Sequence, residues 1–303
     1  MGSLALRKII YKGDKYYYSS KDLKKGVQIV EAGNGAGKTT FSSLISYGIG
    51  MYVKQFDFRN DKDNHREIFS DTNNYVLLKV LINEEPFEFT RYFSPTNSNV
   101  IFVKGDNFEE SFPIYRNAVK SEDDWIFSDW IIYKLGIVLM EVQIEKFDKI
   151  YSDLIKQADK DVIKAELDVN YMPVINNGVY RQASSYVTRR LVYYLTLIKI
   201  SIDTDNVPFP RFLLIDTPEN LGIDEKNLIS TLSLIDELFI KEDKEQGENT
   251  EDIKDEGQTK EEKQSEPNFQ IILTTGIGKF PEKYREYVVE TLTDDNKLLK
   301  VIK

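Results

Sequence analysis

Apolar positions recur along this chain in two rhythms, every second residue in some stretches and every third or fourth in others. Short apolar runs at residues 4–11, 16–18 and 27–30 predict three strands. Residues 41–47 (Phe-Ser-Ser-Leu-Ile-Ser-Tyr) carry a helical spacing. A polar stretch follows at 59–71. Four β-type runs then occupy 75–82, 87–93, 100–103 and 108–115. Turn signals at Asn83-Glu84-Glu85-Pro86, Ser94-Pro95-Thr96-Asn97 and Lys104-Gly105-Asp106-Asn107 separate them, so they predict an antiparallel meander. Helical patterns cover 124–135, 147–166 and 184–202, and Pro208 and Pro210 close that region. Phe212-Leu213-Leu214-Ile215 is short and wholly apolar, which predicts a buried parallel strand. A helix at 225–240 follows, then a second such strand at 269–273 and closing strands at 287–292 and 298–302. No internal repeat is visible.

Composition narrows the class. The chain has 303 residues, of which 41% are apolar and 12% aromatic, enough for one large core or two small domains. It contains no cysteine, which excludes disulfides, thiolate metal sites and cysteine nucleophiles and suits a reducing, cytoplasmic setting. The single histidine, His65, rules out a histidine-based metal cluster; in a polar stretch it is expected to be a solvated loop residue. No apolar run is long enough to span a bilayer, so no membrane role is expected. Met1-Gly2-Ser3 has the look of a cloning remnant.

The net charge is −10, but residues 241–266 hold 11 acidic and 5 basic residues, so most of the acidity belongs to one segment. Residues 241–267 are nearly devoid of apolar side chains and are expected to form a disordered acidic insertion. The remaining charge neither favours nor excludes a nucleic-acid face.

The first candidate chemistry lies between the strand at 27–30 and the helix at 41–47. Residues 32–39 read Ala-Gly-Asn-Gly-Ala-Gly-Lys-Thr. A strand, a glycine-rich turn and a helix in this order form a phosphate-binding loop: the backbone N–H groups of Asn34, Gly35, Ala36 and Gly37 wrap a phosphate, and the helix N-terminus adds partial positive charge. Lys38 reaches the β- and γ-phosphates, Thr39 offers a hydroxyl to Mg²⁺, and Thr40 continues the helix start. The expected ligands are ATP and Mg²⁺.

The second candidate is Asp216, at the end of the apolar run 212–215. A nucleotide-hydrolysing P-loop protein needs a carboxylate there to hold Mg²⁺ or its water. Alone the pattern is weak, because many strands end in Asp. It gains weight from the loop upstream and from Thr217-Pro218-Glu219-Asn220-Leu221-Gly222-Ile223-Asp224 downstream.

Taken together, Gly33-Asn34-Gly35-Ala36-Gly37-Lys38-Thr39 and the later Leu214-Ile215-Asp216-Thr217-Pro218 resemble the ABC-type ATPase heads of the SMC and SbcC-like family. The resemblance spans residues 4–302. It implies an α/β fold of the P-loop NTPase type: an N-terminal lobe with loop and meander (4–120), a helical region (121–203) and a C-terminal lobe (204–302). Family members act on DNA, often as two heads closing around two ATP molecules, and bacterial ones serve repair or anti-phage defence beside a nuclease or other effector. The resemblance further implies a signature segment at Arg181-Gln182-Ala183-Ser184-Ser185-Tyr186, where Ser184 and Ser185 would face the γ-phosphate of a second subunit. An ordinary helix N-cap explains the same residues. It also implies a glutamine that senses Mg²⁺ and water, with Gln157 the first candidate and Gln143 the second; either also fits a helix surface. Lys54, Arg59, Arg189, Arg190 and Lys199 are candidate contacts to a phosphate backbone.

Several features depart from that family. Thr217 stands where the general base is usually Glu, which leaves Glu219 or Asp224 to assist hydrolysis. The interval from Asp216 to Asp224 is one residue longer than usual. Thr274-Thr275-Gly276 replaces the switch histidine, leaving Thr275 to meet the γ-phosphate. The long coiled-coil arms are missing: residues 157–184 leave room for only a short helix and a turn at Asn176-Asn177-Gly178. Two other functions stay open, a non-hydrolysing ATP-dependent module that regulates a partner and, against the meander, a P-loop phosphotransferase.

Overall fold

Two sheets face each other across one helix. The computed structural model describes residues 2–57, 65–116, 124–136, 144–168, 172–176, 184–204, 207, 209–221, 223, 225–239 and 267–302. The elements run β1 (Leu4–Lys12), β2 (Tyr16–Ser19), β3 (Gly26–Ala32), α1 (Lys38–Gly48), α2 (Arg66–Ser70), β4 (Tyr75–Ile82), β5 (Glu85–Tyr92), β6 (Val100–Gly105) and β7 (Phe108–Pro113). They continue with α3 (Phe127–Leu135), α4 (Ile144–Ala158), β8 (Ala165–Leu167), β9 (Pro173–Ile175), α5 (Ser184–Asp203), β10 (Phe212–Asp216), α6 (Glu225–Ser233), α7 (Asp236–Phe239), β11 (Gln270–Gly276), β12 (Val288–Leu292) and β13 (Lys300–Val301).

The first sheet is antiparallel, in the order β13-β2-β1-β4-β5-β6-β7. The expected meander is its larger half. β4 shows the logic: Val76, Leu78, Val80 and Ile82 point inward and are buried, while the alternate positions face outward. The second sheet is parallel, in the order β10-β11-β3-β12. Every residue of β3 is buried, as expected of a strand covered on both faces. β10 stands at the sheet's edge, which is why four of its five residues are only half-buried.

Alternation along the parallel strands divides the core in two. Val30, Ala32 and Ile272 face α1 and the antiparallel sheet. Val27, Ile29, Ile271 and Leu273 face the opposite way, against α4, α5 and α6. α1 is therefore clamped on both sides. Its fit on β4 is close enough that a Cβ on Gly48 would come within 2.5 Å of a Leu78 methyl. The C-terminal end of α1 is closed by buried Arg91, which donates to the carbonyls of Tyr47 and Met51 and lies 3.6 Å from the Tyr47 ring centre.

Several sequence expectations need correction. The helix at 147–166 ends at Ala158, because the Asp159 carboxylate accepts the Asp161 N–H in a local turn. Residues 165–167 instead form β8, paired with β9, so the described part of the interval 157–184 carries a hairpin; residues 169–171 and 177–183 lie outside the described residues. Asn176 follows β9, and its side chain accepts from Ile163 and Lys164 and donates to Asp161; Asn177 and Gly178 of the expected turn lie outside the described residues. The helix at 225–240 breaks after Ser233, where Leu234 and Ile235 turn back to bond Thr231 and Leu232 and bury their side chains. The polar stretch 59–71 contains α2, and the closing strand at 298–302 shrinks to two residues on β2. The expected disordered insertion, apart from Pro267, lies outside the described residues.

Candidate functional site

The carboxyl ends of β10, β11 and β3 lie along one edge of the parallel sheet, the edge at which such sheets bind ligands. The register places Asp216 beside Thr274 and Gly276 beside Ala32. β11 thus separates Asp216 from the glycine loop by two strand spacings, roughly 10 Å.

The loop is built from backbone. Gly35 and Gly37 have φ of 75° and 115°, conformations that favour glycine. Gly37 is doubly constrained, since a Cβ there would come within 2.6 Å of the Leu298 Cβ. The loop is backed by two main-chain bonds, Gly33 N–H to Leu292 O and Leu298 N–H to Ala36 O. No side chain caps α1, and its first turn has no acid. Among the described residues no acid is bonded to its leading N–H groups. The Lys38 ammonium folds back across the loop and donates to Ala32 O at 3.1 Å. Asn34, Gly35 and Thr39 are exposed, whereas Ala36 and Thr40 are buried.

The neighbouring strand ends are built from side chains. The Thr274 hydroxyl, fully buried, donates to Asp216 Oδ1 at 2.7 Å, and the Thr217 hydroxyl approaches the same oxygen at 3.3 Å. Thr217 adopts φ 39°, a left-handed conformation uncommon for a β-branched residue. After this reversal Pro218–Leu221 forms a tight turn. Glu219 reaches back from it over β11: its Oε1 accepts the Gly276 N–H at 2.7 Å and its Oε2 meets the Thr275 hydroxyl at 3.2 Å.

Among the described residues no cluster of three acidic or histidine side chains could hold a metal alone. Mg²⁺ characteristically takes one or two protein ligands and fills its shell with water and substrate phosphates. Asp216, with both hydroxyl donors on Oδ1 and none on Oδ2 among the described residues, fits that mode together with exposed Thr39.

The other expected site residues fall in different places. Ser184 and Ser185 open α5, the helix that packs on α4 and α6. Gln157 is exposed on α4, whose partners are α5, α6 and β8. Gln143, Asp224, Arg59 and residues 181–183 lie outside the described residues. Among the candidate phosphate-backbone contacts, Arg190 is exposed, but Lys199 is buried, so its side chain does not face a duplex.

Three residues near this edge were not expected from the sequence. His65 is no solvated loop residue. Its Nε2 lies 2.8 Å from the Thr40 hydroxyl, its ring meets Phe56 edge-on, and burial holds its pKa below the usual imidazole value. Glu31, next to the loop, is buried and accepts from Arg285, Thr291 and Gly278. An acid inside a strand that holds one other polar side chain, Gln28, was its only signal. Thr274 stands in the segment that replaces the switch histidine, but nothing in the sequence pointed to its bond with Asp216.

No protein-family profile matches this sequence, and no curated protein does. Among solved structures, the chain is similar to the crystal structure of an SMC head bound to the C-terminal winged-helix domain of ScpA. The match has a TM-score of 0.54 and 11% identity, and covers 98% of this chain and 97% of that one. The chain therefore has an SMC-head-like α/β fold. Among the described residues no helix is long and apolar enough to cross a membrane.

Proposed function

We propose that this protein is an ATP-binding head of the SMC-like type, with Mg²⁺ as its metal, that closes into a dimer around ATP. The observation that carries this reading is the shared sheet edge. It sets a glycine loop with Lys38 inside it two strands from Asp216, a carboxylate with one oxygen free of donors among the described residues. Loop N–H groups and the Lys38 ammonium bind the phosphates. Thr39 and Asp216 hold Mg²⁺, which neutralises phosphate charge when bound. Thr275 meets the γ-phosphate, Ser184 and Ser185 meet the γ-phosphate of the second protomer, and Gln157 orients water and metal. Hydrolysis is slow, because Thr217 offers no general base and Glu219 is tied to β11.

Output to DNA, in repair or anti-phage defence, and a nuclease or other effector as partner, complete this reading. The similar SMC head, bound to a winged-helix domain, is a precedent for a protein partner. The involvement of both Thr217 and Glu219 in bonds to neighbouring groups favours a second reading, in which ATP only stabilises the dimer and a partner senses closure.

Sedimentation with and without ATP–Mg²⁺, beside steady-state turnover with and without DNA, tests these readings. ATP-driven dimerisation with DNA-stimulated turnover supports the first, and dimerisation without turnover the second. A chain that stays monomeric at saturating ATP rejects both.

A further inference from the structure

The middle of the proposed phosphate edge already holds an anion. β11 runs between the loop strand β3 and the Asp216 strand β10, so its end faces the space between Lys38 and Asp216. That end offers two donors, the Gly276 N–H and the Thr275 hydroxyl. Both are directed at the Glu219 carboxylate, at 2.7 and 3.2 Å. The Thr275 hydroxyl also lies 3.3 Å from Lys279 O, so its single proton is shared. The Gly276 N–H is the firmer bond. A carboxylate accepting an N–H and a hydroxyl makes the kind of charge-assisted contacts that a phosphate oxygen makes.

We propose that Glu219 is an internal stand-in for the γ-phosphate. It occupies the Thr275–Gly276 donors when no triphosphate is bound, and it sets how strongly the site prefers ATP over ADP. This rests on the nucleotide reading above and adds a competitor to it. A triphosphate must displace the carboxylate to reach those donors, whereas a diphosphate leaves it in place. The reversal at Thr217 supplies the geometry, because its left-handed backbone swings the Pro218–Leu221 turn back over β11. Residues Asp216 and Glu219, both acids on one short segment, thereby act differently. Among the described residues Asp216 accepts on one oxygen only, while both oxygens of Glu219 are engaged by β11.

The test is the ratio of affinities for a non-hydrolysable ATP analogue and for ADP, measured by calorimetry on the parent, Glu219→Gln and Glu219→Ala. Removing the competitor should tighten the ATP analogue by about tenfold in the Ala variant, with ADP within about twofold of the parent. The Gln variant, which keeps an acceptor but loses the charge, should fall between. Three unchanged ratios would overturn the proposal, and melting temperatures and turnover would then say what Glu219 does instead. A lower melting temperature alone marks a strand-end cap; lost turnover alone marks a general base. If the Ala variant does not fold, the Gln variant against the parent decides. A parent that binds neither nucleotide overturns the underlying reading and this proposal with it, which distinguishes the two failures.

Discussion

Two neighbouring stretches along one edge of the parallel sheet, the β3 end and the β10–β11 end, use opposite materials. At β3 the chain builds with backbone: glycines at positive φ, an uncapped helix start and one lysine resting on a carbonyl. At β10 and β11 it builds with side chains: two hydroxyls on Asp216, and a hydroxyl and an N–H on Glu219. At the first, Lys38 and the loop bond only to main-chain groups among the described residues. The second satisfies most of its groups internally. A site that must accept an anion tightly and release it gains from this asymmetry, because only one half needs rearrangement.

The sharpest way to break the comparison is Lys38→Ala. If the open end is the phosphate site, losing its cation should weaken ATP binding at least about a hundredfold, on the order of 3 kcal/mol. Unchanged affinity by calorimetry would mean that the open end is not used.

Next comes Glu31→Ala, which removes a side-chain anchor from beneath the backbone-built end. The Arg285 pair is half exposed on the arginine side, so its share is discounted, but Thr291 and Gly278 lose a buried acceptor. The expected loss is about 2–3 kcal/mol, read as a lowered denaturant midpoint. A neutral result would show that the loop holds itself without side chains.

Gly37→Ala sharpens the claim that the loop depends on backbone freedom. It forces a side chain into φ 115° and against Leu298, and should destabilise by about 2 kcal/mol. Gly33→Ala, with nothing within 4 Å of the added Cβ, should be near neutral in the same thermal melt. Equal losses would remove the positional argument.

The smallest effect concerns His65, the side-chain prop under Thr40. Its folded pKa lies below the unfolded value, so between the two values the unfolded chain binds more protons and stability rises with pH. That contribution is complete above the unfolded imidazole pKa, about 6.5, and is lost as pH falls through the folded value. Melting temperatures of the parent and His65→Gln should therefore diverge in slope just below neutrality. Parallel curves would show that His65 does not titrate on unfolding.

What could be read from the sequence follows the same division. The glycine spacing around Lys38 and the apolar runs of β3, β10 and β11 were legible, because backbone wrapping and burial leave local marks. Asp216 was legible as a strand-end acid, although nothing in the sequence linked it to Thr274, 58 residues away, which holds it. Glu219 was read as a possible base because sequence does not show where a side chain points. His65 was misread for the same reason: its partner Thr40 and the burial by Phe56 come from tertiary packing. The β8–β9 hairpin was missed because three-residue strands are too short for a period to register.

The placement of β3 between β11 and β12 has a consequence during synthesis. Seven fully buried residues, Gly26–Ala32, leave the ribosome long before either neighbour exists, and Glu31 meets Thr291 only 260 residues further on. At ordinary elongation rates that is a wait on the order of tens of seconds with an apolar strand unpaired. The glycine loop, backed by Leu292 and Leu298, lacks its support for the same interval. Nascent chains shorter than about residue 300 should therefore be clients of chaperones and incapable of holding nucleotide, however complete their Lys38 motif.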